Sequence, residues 1–136
     1  MTVILQMANK IQFVIDNIEE IIRQEAIEHR EFIKLLNRVQ LRAGEKADGS
    51  EMPNYVPKSK QPQAPGAIQL FDTGAFQEGI EPLFEKSGLF MVGLEEKTPI
   101  LVKKYGKILG LTEESQQRLV ERMTPGLIKR IQKLLK

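Results

Sequence analysis

Residues 70–74 read Leu-Phe-Asp-Thr-Gly, and an apolar pair followed by Asp-Thr-Gly is how a dimeric aspartyl hydrolase presents a catalytic carboxylate. In that chemistry two such loops meet across a dimer, and the two aspartates share one proton because like charges about 3 Å apart cannot both ionise. Asp72 would be the catalyst. The site needs a rigid framework of strands, Gly-rich flaps and a partner segment of two apolar residues and a glycine. Ile108-Leu109-Gly110 mimics that partner, but Leu111 stands where retroviral-type aspartyl proteases carry arginine. A long helical pattern before the motif and two helical patterns after it leave too few residues for the sheet. The bland alternative is that Asp72 caps a turn and Gly74 relaxes it, and this is the reading adopted.

Other candidate chemistry is sparser. His29 is the only histidine; it falls on the apolar side of a helical pattern between Ala26 and Ile33, and the His-Glu-x-x-His pair of zinc hydrolases is absent. It reads as a satisfied, partly buried side chain. Cysteine is absent too, which removes disulfides, thiolate metal sites and thiol nucleophiles and fits a reducing interior. No Gly-rich phosphate loop or serine–histidine arrangement stands out. The expectation is a non-enzymatic chain with no metal and no cofactor.

The elements that would position these residues follow from periodicity. From Ile11 to Val39 apolar residues recur at three- and four-residue steps, with Asp16, Glu19, Glu20, Arg23, Glu28, Glu31, Lys34 and Arg38 on the other side, which predicts one long amphipathic helix within residues 1–43. It should stop near Ala43-Gly44, where glycine accepts the left-handed cap conformation. A short strand over residues 2–6 is a further expectation. Residues 44–67 hold Pro53, Pro57, Pro62 and Pro65 with little to bury beyond Met52, Tyr55 and Val56, and read as one extended loop. A structureless loop of that length is usually functional or ordered by a partner. Met52, Tyr55, Val56 and Pro57 are therefore the candidates for contact between subunits.

Residues 68–97 read as a turn and a hairpin. Asp72 or Thr73 caps a short helical segment through Ala75, Phe76 and Ile80. Strands over 80–85 and 89–94 then join through Lys86-Ser87-Gly88, and Pro82 places the first at an edge. Residues 98–136 are helical: Thr98-Pro99 as N-cap and first residue of a helix ended by Gly106, Thr112 opening a second helix, and Thr124-Pro125 opening a last one. In that last helix Leu127, Ile128, Ile131, Leu134 and Leu135 should face inward and the lysines and Arg130 outward. The sum is a single α+β domain over 1–136: a long amino-terminal helix, a small antiparallel sheet and carboxyl-terminal helices.

At 136 residues and a net charge of +2 the chain can bury a core without staples and is not a polycation. Residues 1–7, Met-Thr-Val-Ile-Leu-Gln-Met, are apolar but lack a basic leader and a membrane-spanning length, which reads as mature soluble protein. Lys129, Arg130 and Lys133 are the candidates to face DNA phosphates. Acids mixed among the bases and the lack of interleaved aromatics make a solvated face the simpler reading.

In order along the chain stand a helix rich in charge, Gln40-Leu41-Arg42-Ala43-Gly44, Asp48-Gly49, a Pro-rich polar stretch, the 70–80 segment and a hairpin. This order resembles the phage virion-morphogenesis, or tail-completion, family over most of residues 30–136. The matching positions are Asp48-Gly49 and then Asp72, Thr73, Gly74, Phe76 and Ile80. Residues 97–115 look like proteins of phages and prophages of Bacteroides-type bacteria. The resemblance implies a structural neck or tail protein of the virion, assembled in the bacterial cytoplasm, working as a homo-oligomeric ring with other neck or tail proteins and touching DNA at most non-specifically. It also makes the 70–76 segment a structural corner, with Asp72, Thr73 and Gly74 shaping the turn and Phe76 anchoring it.

Overall fold

A computed structural model describes residues 2–53 and 75–136. The chain is α+β. Helices α1 (Thr2–Asp16), α2 (Ile18–Glu28) and α3 (Arg30–Arg42) are followed by the one-turn α4 (Ala75–Glu78), the hairpin β1 (Ile80–Glu85) and β2 (Gly88–Gly93), and helices α5 (Thr98–Tyr105) and α6 (Glu113–Leu135). α6 lies against α1, α2 and α3, and the hairpin packs on α2 and α3. Between these layers Ile33, Leu41, Ile80 and Ile108 are completely buried within one cluster that also takes in Met52, Phe76, Met91, Leu119 and Met123.

The expected long helix is three segments separated by single residues. Asn17 (φ −113°, ψ 13°) and His29 (φ −100°, ψ 20°) leave the helical basin. At Asn17 the side-chain amide donates to the Phe13 carbonyl at 2.8 Å, competing with the main chain for that acceptor. At His29 the N–H reaches back three residues to Ala26 rather than four. Residues 2–6, expected as a strand, are the start of α1. Val3, Ile4, Met7 and Ile11 fall at helical spacing there, and the β preference of Val and Ile is worth only tenths of a kcal/mol, roughly, against it.

The stop at Gly44 is as the sequence implies. Gly44 has φ 75°, its N–H donates to the Leu41 carbonyl at 3.0 Å, and the Glu45 N–H donates to the Gln40 carbonyl at 2.8 Å. That is the paired closure of a Schellman cap. Beyond it, the first part of the expected loop is ordered. Asp48 accepts from the N–H and hydroxyl of Ser50, Gly49 takes φ 84°, and Glu45 bridges Glu51. The Ala47 N–H donates to the Lys107 carbonyl at 2.7 Å and ties this turn to the body.

The hairpin register runs from Ile80↔Gly93 to Glu85↔Gly88, with Lys86 and Ser87 as its turn. The short helix before it ends at Glu78, so Ile80 opens β1 instead of continuing α4. Thr98 was the expected cap of α5 but is its first residue, with Lys97 before it. The reason is local: its side chain is turned under Gly93, where an added Cβ would run into it. The hydroxyl is buried there with no hydrogen-bond partner. Thr98→Val, which removes an unpaired buried hydroxyl at almost constant shape, is expected to raise stability by about 1 kcal/mol in a denaturant titration.

Thr112 does cap α6: its Oγ1 accepts from the Ser115 N–H at 3.1 Å, with Glu113 and Glu114 in the first turn. Thr124-Pro125, expected to open a separate helix, lies inside α6. Thr124 Oγ1 donates to the Val120 carbonyl at 2.6 Å, keeping the polar group inside the helix, and packing against α2 holds the two halves in line. The expected inward stripe is partial, since Ile128 and Leu134 are exposed.

Candidate functional site

The densest polar cluster joins α2 to α6. Glu25 is buried, and its carboxylate accepts from Arg130 Nε at 2.8 Å and contacts His29 Nε2 at 3.1 Å, while Arg130 also bonds Glu28 at 2.7 Å. Gly126 makes room for it, because any Cβ at that position would occupy the space of the Glu25 carboxylate. The hydrogen bond from Arg130 holds the Glu25 carboxyl below the usual range, with His29 adding to the effect against the opposing influence of burial. A carboxylate so engaged is a weak base, and the cluster is suited to locking two helices together. Sequence reasoning placed Arg130 outward and facing DNA; the structure turns it onto Glu25 and Glu28, because a buried carboxylate needs a paired charge.

A second cluster fixes the hairpin to α3. Glu81 accepts from Lys34 and from Arg30, each at 2.7 Å, and the Lys34 bond, with that of Arg30 adding to it against the opposing influence of burial, holds its carboxyl below the usual pKa. For both carboxylates the folded form binds its proton less readily than the unfolded chain, whose ordinary value is 4.5. Their stabilisation is therefore complete above that value and is lost as pH falls through the depressed folded values. Urea midpoints should be flat near neutrality and fall below about pH 4.5, and Glu25→Gln should flatten that acid slope.

A third arrangement joins α3 to the segment before α6. Asn37, fully buried, accepts from the Gly110 N–H at 3.0 Å and donates to the Ile108 carbonyl at 3.4 Å. Gln40 donates to the Gly110 carbonyl at 2.8 Å and accepts from the Thr112 N–H at 2.9 Å. Two side-chain amides thus satisfy the backbone of a segment with no ladder of its own, as buried polar groups require. Nothing in the apolar period marked Asn37 or Gln40 for this role. Their place on the otherwise apolar face of α3 was the signal.

Among the described residues no group of three or more His, Asp or Glu side chains could hold a metal ion, and no helix is long and apolar enough to cross a membrane. Asp72, Thr73 and Gly74, and likewise Tyr55, Val56 and Pro57, lie outside the described residues. Met52, offered as a contact between subunits, is buried in this chain's own core and has no surface to give a neighbour. Its N–H donates to the Gly44 carbonyl, which draws it inward. Phe76 is buried and packs in the same core. Lys129 and Lys133 are exposed, and Arg130 is not free to join them.

What the surface does offer is apolar. Of α1 only Val14 is buried, while Val3, Ile4, Leu5, Met7, Ile11, Phe13 and Ile15 are exposed, Ile4 at 63%. So many exposed apolar side chains on one helix are more than scattered surface hydrophobics account for. Sequence reasoning located the interface in the Pro-rich span because a loop of that length with little to bury is usually ordered by a partner. No family model, curated protein or solved structure matches the chain.

Proposed function

We propose that the protein is a non-enzymatic structural subunit of a phage neck or tail, of the tail-completion or head–tail-joining kind, acting by ring assembly around the DNA channel. Its partners are copies of itself and the other neck or tail proteins, and its place is the virion. The exposed apolar face of α1 carries this reading, since a stable soluble monomer rarely leaves such a face in water. The order of segments shared with the tail-completion family supports it. A ring needs head-to-tail contacts whose rotation closes, and exposed Lys129 and Lys133 suit non-specific contact with DNA inside one.

The mass of the full chain in solution, by light scattering after size exclusion, together with electron micrographs of the particles, tests the proposal. Closed rings several times the 15.5 kDa chain mass are expected. A monomer at every concentration, or open aggregates without a ring, would overturn it. Asp72→Asn should leave assembly unchanged; peptide cleavage lost on that substitution would favour the aspartyl hydrolase instead.

A further inference from the structure

We infer that α1 is an arm that docks, head to tail, into the groove between α3 and α6 of a second copy of the chain. The inference rests on the self-assembly in the proposed function and names the two surfaces that make it.

The arm continues an apolar seam that α6 covers farther along α1 and α2. Ile4, Met7, Ile11, Val14, Ile18 and Ile21 repeat at alternating three- and four-residue steps, the seam of two helices packed side by side. Val14 and Ile21 are buried where this run passes along α6. At Lys10, whose ammonium donates to the Lys136 carbonyl at 2.7 Å, the run reaches the C-cap of α6. From Thr2 to Asn9 every residue is exposed, so Ile4 and Met7 carry the same stripe with nothing described beside it. The geometry asks for another helix surface there.

The same chain carries one of matching dimensions. A groove of about 450 Å³ between α3 and α6 is lined by Phe32, Leu35, Leu36 and Val39, with Arg118, Glu121 and Arg122 along the rim. Leu35 and Val39 are 47% and 46% exposed, and Arg122 lies over the Phe32 ring at 4.7 Å and closes one wall. The groove's anchors, Phe32 to Val39, span seven residue steps of α3, and Ile4 to Ile11 span seven of α1. Both are about 10.5 Å at the helical rise, so ridges can meet grooves over two turns.

Charge agrees with this pairing. Residues 2–9 of the arm carry none, the groove floor carries none, and the charges stand at the rim, which is how an interface core is divided from its edge. A membrane is the poorer occupant, because helices that lie on lipid are rich in Lys and Arg on the polar face, and α1 has only Lys10. An arm of 15 residues is smaller than the roughly 20–30 residues a side of a standard interface. One contact is thus weak, and closure of a ring through many such contacts supplies the rest.

Because the two surfaces differ, they can be broken separately. Ile4→Asp with Met7→Asp spoils the arm and leaves the groove; Leu35→Glu with Val39→Glu spoils the groove and leaves the arm. All four positions are exposed, and circular dichroism checks that each variant folds. In full-length protein, each double variant alone should run as a monomer, at least tenfold weaker in self-association than the parent. Mixed, they should form a one-to-one heterodimer and nothing larger, since one intact arm meets one intact groove. Arm variants that abolish assembly while groove variants leave it intact would show arm-to-arm pairing and overturn the inference. So would a mixture that stays monomeric, or a parent chain that stays monomeric while binding neutral or anionic phospholipid vesicles. Rings that survive both double variants would sink this inference and leave the neck reading standing. Heterodimers from the mixture, with only open chains from the parent, would do the reverse.

Discussion

Gly126→Ala should lower the stability of the protein by about 3 kcal/mol, although the same substitution in an ordinary helix raises it by about 1 kcal/mol. The added methyl would stand where the Glu25 carboxylate sits. That carboxylate would have to leave, breaking its bonds to Arg130 and His29 and stranding charge in a buried place. Removing one partner of a buried pair costs about 3–5 kcal/mol, from which the helix-propensity gain is subtracted. Glu25→Ala is destabilising for the same reason, but it empties the space. In that background Gly126→Ala should be neutral or stabilising by up to about 1 kcal/mol. Urea midpoints of the four proteins measure this reversal of sign. An equal loss in both backgrounds would show that the glycine is needed for something other than Glu25.

Phe76→Ala should cost about 3–4 kcal/mol in the same measurement. Phe76 is buried in the central cluster, yet it is supplied by α4, a helix of four residues that cannot hold itself together by its own hydrogen bonds. Side-chain anchors hold it. Phe76 is one, and Gln77, fully buried and accepting from Arg42 Nε at 3.2 Å, is another. Emptying the Phe76 site should release α4 and, through Gly79, the start of β1, so the melting curve should broaden as well as shift. Leu83→Ala, on the 42%-exposed outer face of the hairpin, should stay within about 0.5 kcal/mol. Equal effects at the two positions would contradict the burial described.

The parts of the fold that were legible in the sequence are those settled by a few neighbouring residues. Gly44 closes α3, Thr112 opens α6, and Lys86-Ser87 turns the hairpin because each signal is local stereochemistry. What was not legible depends on contacts far along the chain. The Thr124-Pro125 pair looks like a helix start, and only the packing of α6 against α2, with Gly126 lying on Glu25, carries one helix through it. Asn17 and His29 fit the helical period, which does not register a departure at a single residue. Lys129 and Lys133 are exposed, as the period of the last helix implies. Arg130 and Met52 were misplaced because their partners, Glu25 and the Gly44 turn, are distant in sequence or invisible to periodicity.

The hairpin's two margins are not alike. In the register given, Ile80, Pro82 and Phe84 alternate with the residues that bond across to β2, so their main-chain groups point away from it. Proline has no donor to offer there, and the Phe84 carbonyl is taken by Arg23 Nε at 3.3 Å. β2 contains no proline, so every residue along it carries a donor. A visiting extended peptide would therefore find the β1 margin the poorer template, and growth of the sheet is disfavoured there.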